Sequence, residues 1–262
     1  MSMAPLRRGG AFALLAGIVF LLGVTLYQGL VLAPTGFLAA TVPISQHQQF
    51  GPYLVWASRH AAIDAGFRAV EATTFVLALA VPGALGRLLW PDDGPLATRA
   101  LWAGRLGFAA FIVQIGLTTL ATPLLARQYV SQPTNQAATL HTYGLLFGGE
   151  TILASVVGGG LITTFLALAS LRGSASGRLP GWLAYVGLAT AGLLGVSALF
   201  ALFAPTQPET PTSALAFLGL SVWFIAIGIL LLSVQLRPLR DMGMSREAID
   251  DPAPTSDSTP RA

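Results

Sequence analysis

Six apolar runs constrain this chain more than any other feature of its sequence. They cover residues 11–32, 67–89, 101–126, 146–171, 183–204 and 214–236. Each run reaches the length of about 20 residues that a helix needs to cross the hydrocarbon core of a bilayer. The first run follows Arg7 and Arg8, but it is longer than the apolar core of a signal peptide, about 7–15 residues. The sequence therefore predicts an all-α integral membrane bundle of six transmembrane helices.

The shortage of charge supports this prediction. Only 10% of the 262 residues are charged and 54% are hydrophobic, whereas a soluble domain carries about 25% charged residues. So few charges cannot cover a water-facing surface, and the apolar excess must face lipid. We expect residues 1–236 to form one transmembrane domain. Residues 237–262 are rich in Pro, Ser and Asp, which predicts a disordered cytoplasmic tail.

The positions of the arginines predict the orientation of the bundle, and all 14 basic residues are Arg. One set of alternate connections and termini holds Arg7, Arg8, Arg87, Arg99, Arg172, Arg178, Arg237, Arg240, Arg246 and Arg261. The other set, which begins with a long predicted loop at about residues 33–65, holds only Arg59 and Arg127, with Arg68 at a helix end. Cytoplasmic loops keep the excess of Arg. We therefore expect the bacterial cytoplasmic (inner) membrane, with both termini in the cytoplasm.

The same pattern predicts the partners of the chain. In a soluble protein, its isoelectric point near 9.8 would suggest a nucleic-acid partner. Here the arginines flank apolar runs, so we expect the lipid bilayer as partner and no nucleic acid. Cysteine is absent, which excludes disulfides, thiolate catalysis and cysteine metal ligands. The sequence indicates no cofactor.

Small residues recur every four positions in two of the runs. They are Thr151, Ser155, Gly159, Thr163 and Ala167 in the fourth run and Gly187, Ala191 and Gly195 in the fifth. Membrane helices approach each other closely at such residues. We expect both stripes to face neighbouring helices of the same bundle; the alternative is a seam with a second copy or with a partner subunit. The run Gly158-Gly159-Gly160 could permit a bend or a π-bulge.

Ionisable side chains gather near the start of the second run, in SRHAAIDAGFRAVEATTF. A helix that begins near Ser58, as its N-cap, places His60, Asp64, Arg68 and Glu71 on one face. Other polar residues fall near the same depth in neighbouring runs. The resulting candidates for a polar pocket that opens to the outside are Arg68, Glu71, Gln114, Glu150, Asp64 and Gln28.

Two interpretations of these candidates stay open. An Arg–Glu pair and hydrogen-bonding amides can simply hold the bundle in register. Alternatively, an intramembrane carboxylate marks a site for a substrate, an ion or a proton. A metal site formed by His47, His60 and His141 with carboxylates is a weaker alternative, because no short spacing such as His-x-x-x-His links these residues.

Two segments resemble a known family. The run FRAVEATTFVLALAVPGALGRLLWPDDGPLATRALWAGRLGFAAFIV is similar to a family of six-helix bacterial integral membrane proteins of unknown function. The family tends to show the arginines that stand here as Arg68, Arg87 and Arg105, and LPGWLAYVGLATAGLLG is similar to its fifth helix. The resemblance implies the six-helix architecture and no activity.

The sequence contains no Gly-rich phosphate loop, no His-Glu-x-x-His and no Gly-x-Ser-x-Gly motif, so the common nucleotide, metalloprotease and hydrolase signatures are absent. We therefore expect a non-enzymatic multi-pass membrane protein that acts as a carrier, a sensor or an accessory subunit. The alternative is a membrane-embedded enzyme that acts on a lipid or an isoprenoid through the carboxylate cluster.

Overall fold

The computed structural model describes residues 4–47, 49–91, 94–203 and 211–233, and these ranges are helical throughout most of their length and contain no strand. The α-helices are α1 (Ala4–Ile18), α2 (Phe37–His47), α3 (Gly51–Arg59), α4 (Ala61–Ala78), α5 (Ala80–Leu89), α6 (Pro95–Ser131), α7 (Gln136–Thr151), α8 (Gly160–Ala175), α9 (Gly181–Phe203) and α10 (Pro211–Ser233). Three π-helical segments lie at Val19–Val24, Tyr27–Leu32 and Ile152–Gly159.

Six helical stretches of the described chain are long and apolar enough to cross a membrane. They are Leu6–Thr35, Ala61–Leu89, Pro95–Ser131, Pro133–Ala175, Gly181–Phe203 and Ala214–Ser233, numbered here as spans one to six. The predicted all-α bundle of six membrane helices is therefore confirmed. Spans three and four, of 37 and 43 residues, extend well beyond the predicted runs. The predicted ends at residues 204 and 236 and the tail at 237–262 lie outside the described residues.

The six spans form a closed ring in chain order. Each span packs on the next one in sequence, and α10 packs on α1 to close the ring. Short connections place spans two to five as antiparallel neighbours, whereas a longer segment, residues 36–60, joins spans one and two. Polar side chains on inward faces of successive spans can therefore meet inside the ring.

An aromatic core fills the middle of the ring. Its rings come from spans one, two, three, four and six, and stacked or edge-to-face contacts join them; they are Phe20, Phe75, Phe108, Phe111, Phe165, Phe217, Trp223 and Phe224. Phe75 and Phe111 stack with ring centroids 4.6 Å apart. Such pairs add to the free energy gained from burial alone. The core separates the two ends of the bundle.

One end of the bundle, here named the capped end, carries α2 and α3. These helices occupy the connection at residues 33–65 that the sequence predicted as a loop. They bury Tyr53, Leu54 and Trp56 against the ends of spans one, three and four. The apolar side chains of the connection explain the difference, because they can be buried only if the segment folds back onto the bundle.

The opposite end, here named the Arg-rich end, holds Arg87, Arg172 and Arg178. The guanidinium groups of Arg172 and Arg178 donate hydrogen bonds to the backbone carbonyls of Leu89 and Leu88, respectively. These carbonyls end α5 and have no partner within the helix. Arg172 and Arg178 therefore cap the C-terminal end of α5, where the second span ends.

The small-residue stripes pack as predicted, with one correction. A Cβ on Gly187 would lie 2.1 Å from Ser170 Oγ and 2.8 Å from Trp223 Nε1, so span five meets spans four and six there. In span four, however, the tight position is Gly158, where a Cβ would lie 2.9 Å from the ring of Phe111, whereas Gly159 has ordinary space. Of the bend and the π-bulge that the glycine run could permit, the structure has π-helical turns, at Ile152–Gly159. These turns rotate the two glycines relative to a regular helix.

Candidate functional site

A cluster of polar side chains lies between the aromatic core and the capped end. Its members come from α3, α4, α6 and α7, and we call it the polar cluster: Tyr53, Asp64, Arg68, Glu71, Gln114, Thr118, Thr122, Tyr143 and Glu150. Glu71 lies one turn before Phe75, and Gln114 one turn after Phe111. The cluster therefore sits directly on the aromatic core.

Helix α4 supplies both acidic and basic groups to the polar cluster. Arg68 Nη1 lies 3.4 Å from Glu71 Oε2, and Arg68 Nε lies 4.0 Å from Asp64 Oδ1. The spacings of three and four residues place these side chains on one face of the helix, as the sequence predicted. Asp64 is 2% exposed, so a partner charge is needed to offset its desolvation.

Helix α3 closes the polar cluster from the capped end. The Tyr53 hydroxyl donates a hydrogen bond of 3.2 Å to Asp64 Oδ1. Burial raises the pKa of Tyr53 to about 12, so the hydroxyl stays protonated and remains a donor at neutral pH. Tyr53 and Asp64 are both buried, so α3 covers this part of the cluster, whereas the side chains of Arg68 and Glu71 remain 20% and 21% exposed. That the cluster is a pocket open to the outside stays a prediction.

Glu150 reaches the polar cluster from span four. It is 8% exposed and stands just before the π-helical segment. Its carboxyl group faces Thr118 and Gln114 of α6 and lies near Arg68 and Asp64 of α4. One carboxyl oxygen, Oε1, has no hydrogen-bond partner among the described residues. Glu150 is thus a buried carboxyl group with incomplete hydrogen bonding.

Hydroxyl groups line the side of the cluster towards the capped end. Thr118 accepts a hydrogen bond of 3.1 Å from Gln114 Nε2 and donates one of 2.9 Å to the Gln114 carbonyl. Thr122 is one turn further along α6, fully buried, and its Oγ1 has no hydrogen-bond partner in the described part of the chain. The Tyr143 hydroxyl lies near it. These hydroxyls extend from Glu150 towards α3.

The structure brings five of the six pocket candidates together and leaves one outside. Asp64, Arg68, Glu71, Gln114 and Glu150 are members of the polar cluster. Gln28 is exposed within a π-helical segment, and its neighbour Tyr27 turns inward instead, donating to the Ile63 carbonyl over 3.0 Å. The π-helical turns of span one change which side chains face the bundle, so Gln28 does not lie on the face that a regular helix would give it.

The histidines do not gather at the cluster. His60 precedes α4 rather than lying on its polar face, and its ring stacks on Trp56 with centroids 5.2 Å apart. Ser58 lies inside α3, where its hydroxyl donates to the Val55 carbonyl, so the predicted N-cap is wrong. His141 is exposed and His47 belongs to α2. Within the described residues, no three His, Cys, Asp or Glu side chains are placed to hold a metal ion.

Sequence reasoning missed the two tyrosines of the cluster. Tyr53 belongs to a segment predicted as a loop, so its position over Asp64 could not be predicted. Tyr143 precedes Glu150 by seven residues, which places both on one face of a helix. That spacing would have identified Tyr143 if span four had been predicted at its full length.

No protein-family model, no curated protein and no solved structure matches this chain. The predicted resemblance to a six-helix family of unknown function therefore stays a prediction. The polar cluster is the feature of this chain that bears on its function.

Proposed function

We propose that this chain is a non-enzymatic protein of the bacterial inner membrane that binds a small polar solute at the polar cluster, as a carrier, a sensor or an accessory subunit. The observation that carries the proposal is Glu150, a buried carboxyl group inside span four with an unpartnered oxygen. A structural ion pair would satisfy its own hydrogen bonds. An incompletely bonded intramembrane carboxyl favours a ligand site instead.

The orientation of the proposed carrier follows from the arginines. Arg87, Arg172 and Arg178 lie at one end of the bundle and only Arg59 and Arg127 at the other. Since cytoplasmic connections are rich in Arg, we place the capped end outside and both termini in the cytoplasm. The polar cluster then lies on the outer side of the aromatic core, which separates it from the cytoplasm.

The alternative function is an enzyme that acts on a lipid or an isoprenoid. Glu150, Asp64 and Glu71 could act as general acids or bases, and both classes of substrate would reach them through the membrane. The two functions differ in what the purified protein should retain. A carrier or sensor holds a small polar solute, whereas the enzyme holds a lipid.

Native mass spectrometry of the purified protein tests this proposal. We expect a small polar molecule to be released from the wild-type protein and its occupancy to fall in Glu150→Gln, because the substitution removes an acceptor for charged donors. Gln28→Ala, on the exposed face of span one, is the control and should keep full occupancy. Equal occupancy in Glu150→Gln and wild type, or no retained small molecule, contradicts the proposal; a retained phospholipid or isoprenoid supports the enzyme instead.

A further inference from the structure

The acidic and basic groups of the polar cluster are unequal in number. Asp64, Glu71 and Glu150 provide three carboxyl groups, and Arg68 provides the one guanidinium among these cluster residues. Arg68 lies within 4.0 Å of both Asp64 and Glu71. Asp64 and Glu71 of α4 thus already share the charge of Arg68, and the third carboxyl group, that of Glu150, comes from span four.

Charged, titratable and polar groups of three helices surround Glu150. Arg68 and Asp64 face it from α4, and Tyr143 lies two turns away on its own helix. From α6 it meets Thr118 and Gln114, which carry no charge. Glu71 and Tyr53 complete the surroundings of Arg68. No second cation appears in this described neighbourhood.

Burial makes the ionised, unpaired form of the Glu150 carboxyl group energetically unfavourable. Its side chain lies inside a membrane span and is 8% exposed, and an unpaired charge in such a place is strongly disfavoured. A carboxylic acid is neutral, and its O–H group is a hydrogen-bond donor. Thr118 and Gln114 offer oxygens that can accept this hydrogen bond.

We infer that Glu150 binds an exchangeable proton, which makes the polar cluster a proton-coupled solute site. This inference rests on the proposed function and adds the ion that accompanies the solute. When Glu150 gives up the proton, its carboxyl O–H bond breaks and the carboxylate remains. A solute that brings a positive charge or hydrogen-bond donors to that carboxylate stabilises it, so binding of the solute and release of the proton are coupled.

The released proton has a line of hydroxyl groups to follow. Thr118 and Thr122 lie one turn apart on one face of α6, and the Tyr143 hydroxyl is near Thr122. Side chains one turn apart have Cβ atoms about 5–6 Å apart, so the relay includes a bridging water between the two threonines. Each oxygen accepts a proton and passes its own to the next, and water at the capped end takes up the last one. The unpartnered Oγ1 of Thr122 is free to serve in this relay. On the other side, the one polar atom among the rings of the aromatic core is Trp223 Nε1, a donor that cannot accept a proton, so exchange occurs from the capped end.

Infrared spectroscopy of the purified full-length protein detects this proton directly. At neutral pH we expect a carboxylic-acid carbonyl band in the wild-type protein, a shift of the band in D₂O, and its loss in Glu150→Gln. Gln28→Ala is the control that keeps the band. Absence of the band from the wild type, its persistence in Glu150→Gln, or its loss in Asp64→Asn or Glu71→Gln with retention in Glu150→Gln overturns the inference.

A second set of variants tests the relay and guards against misfolding. If Glu150→Gln does not fold, Glu150→Asp keeps a carboxyl group and should shift the band frequency; an unchanged frequency assigns the proton to another residue and overturns the inference. Thr122→Val should slow deuterium exchange of the band, whereas Thr119→Val, whose hydroxyl bonds its own helix at the Ile115 carbonyl, should not. Equal exchange rates in the two variants refute the relay.

The infrared and mass-spectrometric results are independent. A solute retained without a protonated Glu150 leaves the proposed function standing and removes the proton coupling. A protonated Glu150 without a retained solute removes the proposed function and the coupling with it, and leaves only an exchangeable proton at Glu150.

Discussion

Tyr53 links the capped end to the membrane spans through a single side-chain hydrogen bond. Its hydroxyl donates to Asp64, and the guanidinium group of Arg68 lies 4.0 Å from the same carboxyl oxygen. The ring also stacks on Trp56, with centroids 5.9 Å apart, and this packing does not depend on the hydroxyl. The polar and apolar contributions of Tyr53 can therefore be separated by removing the hydroxyl alone.

Tyr53→Phe should destabilise the purified protein by about 1.5 kcal/mol, since a buried hydrogen bond to a charged acceptor is lost while the ring stays. The loss should also change the response to alkaline pH. Tyrosines of the unfolded chain ionise near pH 10, whereas folded Tyr53 has a pKa of about 12. Its contribution to stability is therefore complete below pH 10 and falls as the pH rises towards 12.

Thermal unfolding in detergent as a function of pH measures both effects. Below pH 10 the wild-type protein should unfold at the higher temperature, and the difference from Tyr53→Phe should shrink between pH 10 and 12. Tyr185→Phe, at an exposed position of α9, is the control and should match the wild type at all pH values. A constant difference across this pH range would show that Tyr53 is not buried against Asp64.

At the scale of helices, close approach decides how spans four, five and six pack. Gly187 of α9 touches Ser170 of α8 and Trp223 of α10, so any side chain there would displace two neighbours. Gly192, on the same helix, has no heavy atom within 4 Å of a Cβ position. The two glycines form a matched pair that differs in packing and not in helix propensity.

Gly187→Ala should destabilise the bundle by about 1–3 kcal/mol, the usual cost of adding a methyl group to a filled interior. Gly192→Ala should be neutral or stabilising, because Ala favours the helix more than Gly does. Thermal unfolding of both variants in the same detergent gives the comparison. Equal loss of stability in the two would mean that α9 does not present Gly187 to its neighbours.

The helices also show how far sequence reasoning extends. Long apolar runs and the spacing of Asp64, Arg68 and Glu71 predicted the spans and the α4 face, because both depend on local periodicity. The fold of residues 33–65 was not predictable in this way, since α2 and α3 are held by contacts with distant spans. The placing of Gln28 and Gly159 failed for another reason: π-helical turns rotate the faces that a regular helix would present.

The candidate site was predicted in part. The sequence identified Asp64, Arg68 and Glu71 by their common helix face and Gln114 and Glu150 by their depth in the membrane, but it could not show which charge faces Glu150. In the structure Arg68 of another helix lies close to it, and only the ring order of the spans brings the two together. Charge balance in the cluster is thus a property of tertiary packing.

At the scale of the whole molecule, the bundle has two unequal ends. The capped end covers Asp64 of the polar cluster through Tyr53, and the aromatic core fills the middle. At the Arg-rich end, Arg172 and Arg178 bind the terminal carbonyls of α5. If the capped end faces outwards, the cluster can exchange solute and protons only with the outer side in this conformation. The side of the membrane on which the capped end lies therefore decides which compartment the polar cluster serves.

Cysteine labelling in cells tests the orientation most directly, because the chain has no cysteine of its own. Ser131→Cys places an exposed thiol at the capped end and Ser174→Cys places one at the Arg-rich end, and both substitutions change only an oxygen to a sulfur. We expect a membrane-impermeant thiol reagent to label Ser131→Cys in intact spheroplasts and Ser174→Cys only after the membrane is permeabilised. Labelling of Ser174→Cys in intact spheroplasts, with Ser131→Cys protected, would place the polar cluster on the cytoplasmic side and contradict the account.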